Sequence, residues 1–232
     1  MEDKRRLEAF SDGVFAVAAT LLVLEFTVNH HSKIGLGQQL LDLWPAYLAY
    51  ATSFVTIGII WINHHHTVSL LGRSDRTMLF INNLLLLTIV FLPFPTRLVA
   101  EDLHHGVPPG DEKSAVLAYS ATFVVMAMLH LVWWRYARHN RRLIADTTPE
   151  SALRAVDRAY LPGVPMYGIV FVVAFFSPLA AVIMTLAIAA FYLPSAASSI
   201  AAASQADAWA SASASPERST TSTVKPPAPK LG

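Results

Sequence analysis

Apolar positions along this chain are gathered into six runs, at about residues 10–28, 44–63, 78–98, 115–136, 161–176 and 179–194. Charged side chains fall mostly in the stretches between them. The first four runs are each about twenty residues long, enough helix at 1.5 Å per residue to cross a hydrocarbon core about 30 Å thick. The last two are shorter, sixteen residues covering about 24 Å. Read as one helix, 161–194 would extend about 50 Å, and Pro178 would break it. Ser177-Pro178 therefore predicts a tight hairpin of two short helices. The pattern predicts an all-α polytopic membrane protein with six transmembrane helices over 1–194.

Composition agrees with that reading. Apolar residues make up 54% of the chain and charged residues 14%, against about a quarter charged in soluble domains. The absence of cysteine excludes a disulfide frame, a thiolate metal site and thiol catalysis. Lys4, Arg5 and Arg6 precede a long apolar run with no small-residue cleavage site, so the first helix is expected to be retained. The net charge of +1 identifies no partner, and nothing in the chain points to nucleic acid.

The distribution of charge is more informative. Of the 17 basic residues, only Lys33, Arg97 and Lys113 fall in the first and third connections, and the other 14 lie at the start, in the even connections and in the tail. By the positive-inside rule both termini are cytoplasmic, which requires an even number of spans. Residues 195–232, rich in Ala, Ser, Thr and Pro, hold too little apolar surface to offset the entropy of ordering, and are expected to form a disordered cytoplasmic tail. No internal repeat is evident, so a symmetric pore would have to be built from separate subunits.

On the first helix, with Val17 at zero and about 100° per residue, Leu21 falls near 40°, Leu24 near −20° and Thr20 near −60°. Phe10 and Gly13 lie close to the same line. Ser11, near 120°, and Asp12, near −140°, point elsewhere. Spacing alone leaves the aliphatic stripe open to ordinary packing against lipid or another helix. Ser11 and Asp12, beside Arg6 at the entrance of a membrane helix, are costly there and ask for partners. Candidates at the same depth are Trp61, Asn63, His64 and His65 in the second run and Asn82 and Asn83 in the third. The alternative is that Ser11 or Asp12 caps the helix N-terminus.

Arg6-x-x-x-Phe10-Ser11-Asp12 resembles the signature that opens the first membrane helix in the transmembrane protein 175 family of potassium channels. Trp61-Ile-Asn63-His64-His65 and the stretch from Asn83-Leu-Leu-Leu-Leu to Leu92-Pro93-Phe94-Pro95 resemble its second and third helices. The resemblance covers about the first 190 residues and is most specific in the first three helices. It implies that the first helices of several subunits line a central pore whose narrowest point is made by bulky aliphatic side chains, here Val17, Leu21 and Leu24, with Thr20 as a nearby polar ring. Val17 is smaller than the Ile or Leu typical there, which implies a wider first ring. Members with one six-helix unit per chain are tetramers, which implies a homotetramer conducting K⁺ across the lipid bilayer of the cell membrane. The chain carries no Thr-Val-Gly-Tyr-Gly filter, so selectivity by backbone carbonyls is not expected. A hydrophobic constriction can instead gate by dewetting and discriminate by dehydration cost.

Other features carry weaker readings. His64-His65-His66 cannot converge on one metal ion from a regular helix, because successive residues point about 100° apart; no metal and no cofactor are expected. Glu25, near the outer end of the first helix, could attract cations to a vestibule or sit at the interface. Glu101, Asp102, His104, His105, Asp111 and Glu112 read as a solvated cluster in the outer loop. Arg135, Arg138, Arg141 and Arg142 are foremost a topological signal, with anionic lipid headgroups as a secondary partner. An enzyme is disfavoured, since His-Glu-x-x-His, Gly-x-Ser-x-Gly and cysteine are all missing. A proton- or ion-coupled transporter using Asp12, Glu25 and a histidine is the alternative to a channel, although the prolines lie at span ends and not at the midplane.

Overall fold

The structure, a computed structural model, describes residues 2–26, 28, 33–102 and 111–192. The tail at 195–232 lies outside the described residues. Helix α1 spans Glu2–Leu21 and continues as a 3₁₀ turn over Leu22–Glu25. A short helix α2, Leu36–Asp42, leads into α3, Trp44–Ser69, whose first turn holds Pro45, where a missing N–H costs nothing. Helix α4, Arg76–Phe91, is capped by Asp75, whose side chain accepts from the Met78 backbone N–H at 2.8 Å. Pro93 lacks an N–H to continue the ladder, and α5, Pro93–Asp102, starts afresh after Leu92. Together α4 and α5 form one interrupted span, Arg76–Glu101.

Helix α6, Asp111–Arg138, carries acidic residues in its first turn and Arg135 and Arg138 in its last, the arrangement its dipole favours. It ends where Asn140 and Arg141 take left-handed φ of 52° and 54°. Helix α7, Glu150–Tyr160, lies in the connection where no helix is expected from the hydropathy pattern. It is amphipathic: Leu153 and Val156 are buried, whereas Arg154 and Arg158 are exposed. Helices α8, Gly163–Ala174, and α9, Pro178–Tyr192, follow on either side of Ser177.

Among the described residues four segments are long and apolar enough to cross a membrane: Lys4–Leu24, Ala46–Ser69, Arg76–Glu101 and Asp111–Arg141. The protein is therefore an all-helical membrane protein. The segments expected as the last two spans fold as the shorter helices α8 and α9, about 18 and 22 Å long at the usual rise, less than the length of the other four.

The main core is built from Phe15, Leu22, Leu85, Ile89, Tyr119 and Phe123 and their neighbours, contributed by α1, the 3₁₀ turn, α4 and α6. A second cluster sits where α1 begins and α6 ends, around Leu7, Leu71, Met78, Trp133, Trp134 and Leu153. There the loops after α3 and α6 are stitched by an isolated antiparallel bridge, Leu71 to Ile144. Gly72 donates to the Leu143 carbonyl at 2.9 Å, and Ala145 to that of Leu70 at 3.0 Å. A Cβ on Gly72 would lie 3.0 Å from the Ala145 Cα, so a larger residue there would have to push the two backbones apart by a few tenths of an ångström.

Candidate functional site

Helix α1 has two faces of opposite character. Leu7, Ser11, Phe15, Ala18 and Leu22, spaced three and four apart, are buried and pack toward α3 and α4. On the other side Phe10, Val17 and Leu24 are 58%, 53% and 69% exposed, with Thr20 also exposed and Leu21 half-buried. The Thr20 hydroxyl donates to the Val17 carbonyl at 2.8 Å, folding back onto its own helix. The stripe Val17, Thr20, Leu21 and Leu24 thus contains no side chain committed to the subunit's interior.

The buried face contains a polar line. Asn82 of α4 donates through Nδ2 to Ser11 Oγ at 3.1 Å, and its Oδ1 lies 2.8 Å from His64 Nε2 of α3. With the amide nitrogen on Ser11 and the oxygen facing His64, Nε2 carries the donated hydrogen. Ser11, Asn82 and His64 are each no more than 1% exposed. Around His64 stand the rings of Phe15 at 5.5 Å, Trp133 at 5.3 Å and His130 at 6.1 Å between centroids. Three helices are joined here by side chains whose hydrogen-bonding groups have no water to fall back on.

Asp12 takes a different partner. Its Oδ1 accepts from Trp61 Nε1 at 2.8 Å, a second tie between α1 and α3. His65, exposed, approaches Glu8 at 3.3 Å and not Asp12. Asn83, one residue beyond Asn82, faces away and is exposed, as are Arg6 and Phe10. The N-cap alternative is overturned: α1 starts at Glu2, so Ser11 and Asp12 lie in its third turn, where backbone N–H groups already have helical partners.

His64 is buried while His65 and His66 are exposed, so the three imidazoles diverge. Among the described residues no group of three or more His, Cys, Asp or Glu side chains could hold a metal ion. Glu101 pairs with Arg97 at 2.8 Å on its own helix. His104 and His105 lie outside the described residues, as does the side chain of Glu25.

Two residues that sequence reasoning passed over extend the site. His130 of α6 is buried beside His64, and its Nε2 has no hydrogen-bond partner among the described residues. Tyr160 of α7 donates to the Asn63 carbonyl at 3.0 Å, shares a hydrogen bond with Thr67, and sets its ring 5.0 Å from that of His130. A lone histidine inside an otherwise apolar run was the available signal for the first. Nothing local marks the second.

The family described as the endosomal/lysosomal potassium channel TMEM175 matches residues 6–93, which contain the whole Ser11–Asn82–His64 line. A potassium channel of Chamaesiphon minutus is 41% identical over 175 residues, covering 74% of this chain and 84% of that protein. One of Streptomyces collinus is 42% identical over 142 residues, 60% of this chain and 66% of the relative. The crystal structure of a lysosomal potassium-selective channel TMEM175 homolog from Chamaesiphon minutus superposes with a TM-score of 0.75 at 36% identity, covering 84% of this chain and 99% of that one. Shared sequence over most of a relative's length, with the same helical fold, shows that this chain belongs to the TMEM175 family.

Proposed function

We propose that this chain is one subunit of a homotetrameric, potassium-permeable channel of the cell membrane, each subunit contributing six spans with both termini cytoplasmic. In this reading the α1 helices meet around the central axis, and Val17, Leu21 and Leu24 form the constriction, with Thr20 as a polar ring beside it. The observation that carries the reading is the two-faced character of α1. Ser11 is turned inward and hydrogen-bonded and Asp12 is tied to Trp61, leaving a mainly aliphatic stripe for which the subunit has no use of its own. The bacterial relatives from Chamaesiphon minutus and Streptomyces collinus are both named potassium channels, which supports the same ion.

The roles divide accordingly. Ser11, Asn82, His64, Asp12 and Trp61 hold α1 in rotation and height against α3 and α4. The stripe meets the ion. A wall of aliphatic side chains offers no ligands, so an ion crossing it must shed or distort its hydration shell, at a cost smaller for K⁺ than for Na⁺. The test is a planar-bilayer recording of purified protein under bi-ionic K⁺/Na⁺ conditions. Discrete ohmic steps with a reversal potential favouring K⁺ are expected; saturable, counter-ion-dependent flux without unitary steps would replace the channel by a coupled transporter.

A further inference from the structure

The last turns of α6 carry a stripe that the channel reading does not use. Leu131, Arg135 and His139 follow one another at intervals of four, on one face of the helix and its 3₁₀ extension. They form the shared wall of two shallow grooves, one toward α7 edged by Arg138 and Leu161, the other edged by Val132 and Arg142. From Leu131 to His139 the stripe climbs about 12 Å. That is enough to pass from hydrocarbon through a headgroup layer about 5–8 Å thick on each side.

The charges in these grooves are not equivalent. Arg138 is held by Glu150 and Asp157, and Arg142 by Asp75 at 2.8 Å with its guanidinium over the Tyr136 ring. Arg135 is exposed and has no ion pair or hydrogen bond among the described residues. Below it Val132 and Leu161 present 51% and 56% of their surface. An unneutralised guanidinium therefore sits directly above open apolar side chains, at the end of a membrane span and on the arginine-rich side of the chain.

From this juxtaposition we infer that Arg135, with His139 beside it, binds the phosphate of an anionic phospholipid whose acyl chains lie along Leu131, Val132 and Leu161. The headgroup charge supplies the counter-ion that the protein withholds from Arg135, and the chain covers the apolar wall. A soluble phosphate satisfies only the first demand, and a zwitterionic lipid satisfies the second but brings its own cation to the first.

The test is native mass spectrometry of the purified full chain titrated with phosphatidylglycerol or phosphatidylcholine. Wild type should retain phosphatidylglycerol preferentially. Arg135→Gln, an exposed change unlinked to the fold, should weaken that retention about fivefold, the loss expected for one basic residue at an anionic surface. Arg154→Gln, on the outer face of α7, should leave it unchanged, and inorganic phosphate should not displace the lipid. Equal retention of the two lipids by wild type, undiminished retention by Arg135→Gln, or displacement by inorganic phosphate would each overturn the inference.

Discussion

Asn82 Nδ2 donates to Ser11 Oγ at 3.1 Å across the α4–α1 interface, with both side chains sealed from solvent. The bond fixes which face of α1 turns inward, because Ser11 sits on the line of Leu7, Phe15 and Ala18. Everything on the opposite face is thereby turned outward, Val17 and Leu24 included. The amide does not act alone, since its oxygen is occupied by His64.

Removing that amide should be felt. Asn82→Leu leaves Ser11 Oγ and His64 Nε2 buried without their partner, and an unpaired buried group costs about 1–3 kcal/mol. Within a membrane, measured coupling between such pairs is smaller, averaging about 0.6 and reaching about 1.7 kcal/mol. A double-mutant cycle of Ser11→Ala and Asn82→Leu, read by equilibrium unfolding in detergent, should give a coupling inside that range. Strict additivity would show that the bond contributes nothing to holding α1.

The stripe should govern permeation. Exchanging Leu21 or Leu24 for serine is expected to raise unitary conductance or flatten the preference for K⁺ over Na⁺, because a polar ring lowers the cost of wetting the constriction. Planar-bilayer currents indistinguishable from wild type in both variants would remove the stripe from the ion path.

Asp12 should matter as an acceptor for Trp61 more than as a charge. Its Oδ1 takes the indole N–H at 2.8 Å, and an asparagine in its place could do the same through the amide oxygen. Asp12→Asn should therefore keep potassium flux in proteoliposomes, whereas Asp12→Ala and Trp61→Phe should both reduce it. Loss of flux in Asp12→Asn with Trp61→Phe intact would assign the role to the negative charge.

Asp75 predicts a pH dependence outside the membrane. Burial pushes its carboxyl up, but hydrogen bonds from the Met78 N–H and the Tyr136 hydroxyl, with the Arg142 guanidinium, outweigh that and hold it below its ordinary value of 3.8. A depressed carboxyl stabilises the fold above its unfolded value and loses that contribution as pH falls through the folded one. Asp75→Asn keeps a helix cap and gives up the ionised pair. Its thermal midpoint should lie below wild type at neutral pH, with the gap closing only under the ordinary carboxylate range. A gap unchanged in acid would show that geometry and not charge is responsible.

Much of this molecule is legible in the order of its residues. Runs of apolar side chains long enough to span, the break at Pro178 and the stripe of α1 follow from helix geometry and from the solvent a membrane offers. So does the separation of Ser11 and Asp12 from that stripe, because about 100° per residue leaves them no other place. The partners of those residues were a different matter. Asn82 and Asn83 are adjacent and chemically identical, and only the rotation of α4, set by Met78, Leu85 and Ile89 entering the interior, brings the first to Ser11 and turns the second outward. Likewise Asp12 meets Trp61 and not a histidine because α1 and α3 pack at one relative height, which no local pattern encodes. The chain's own periodicity decides which side chains share a face. Which neighbour that face meets is decided only when helices far apart in sequence settle their rotation and register together.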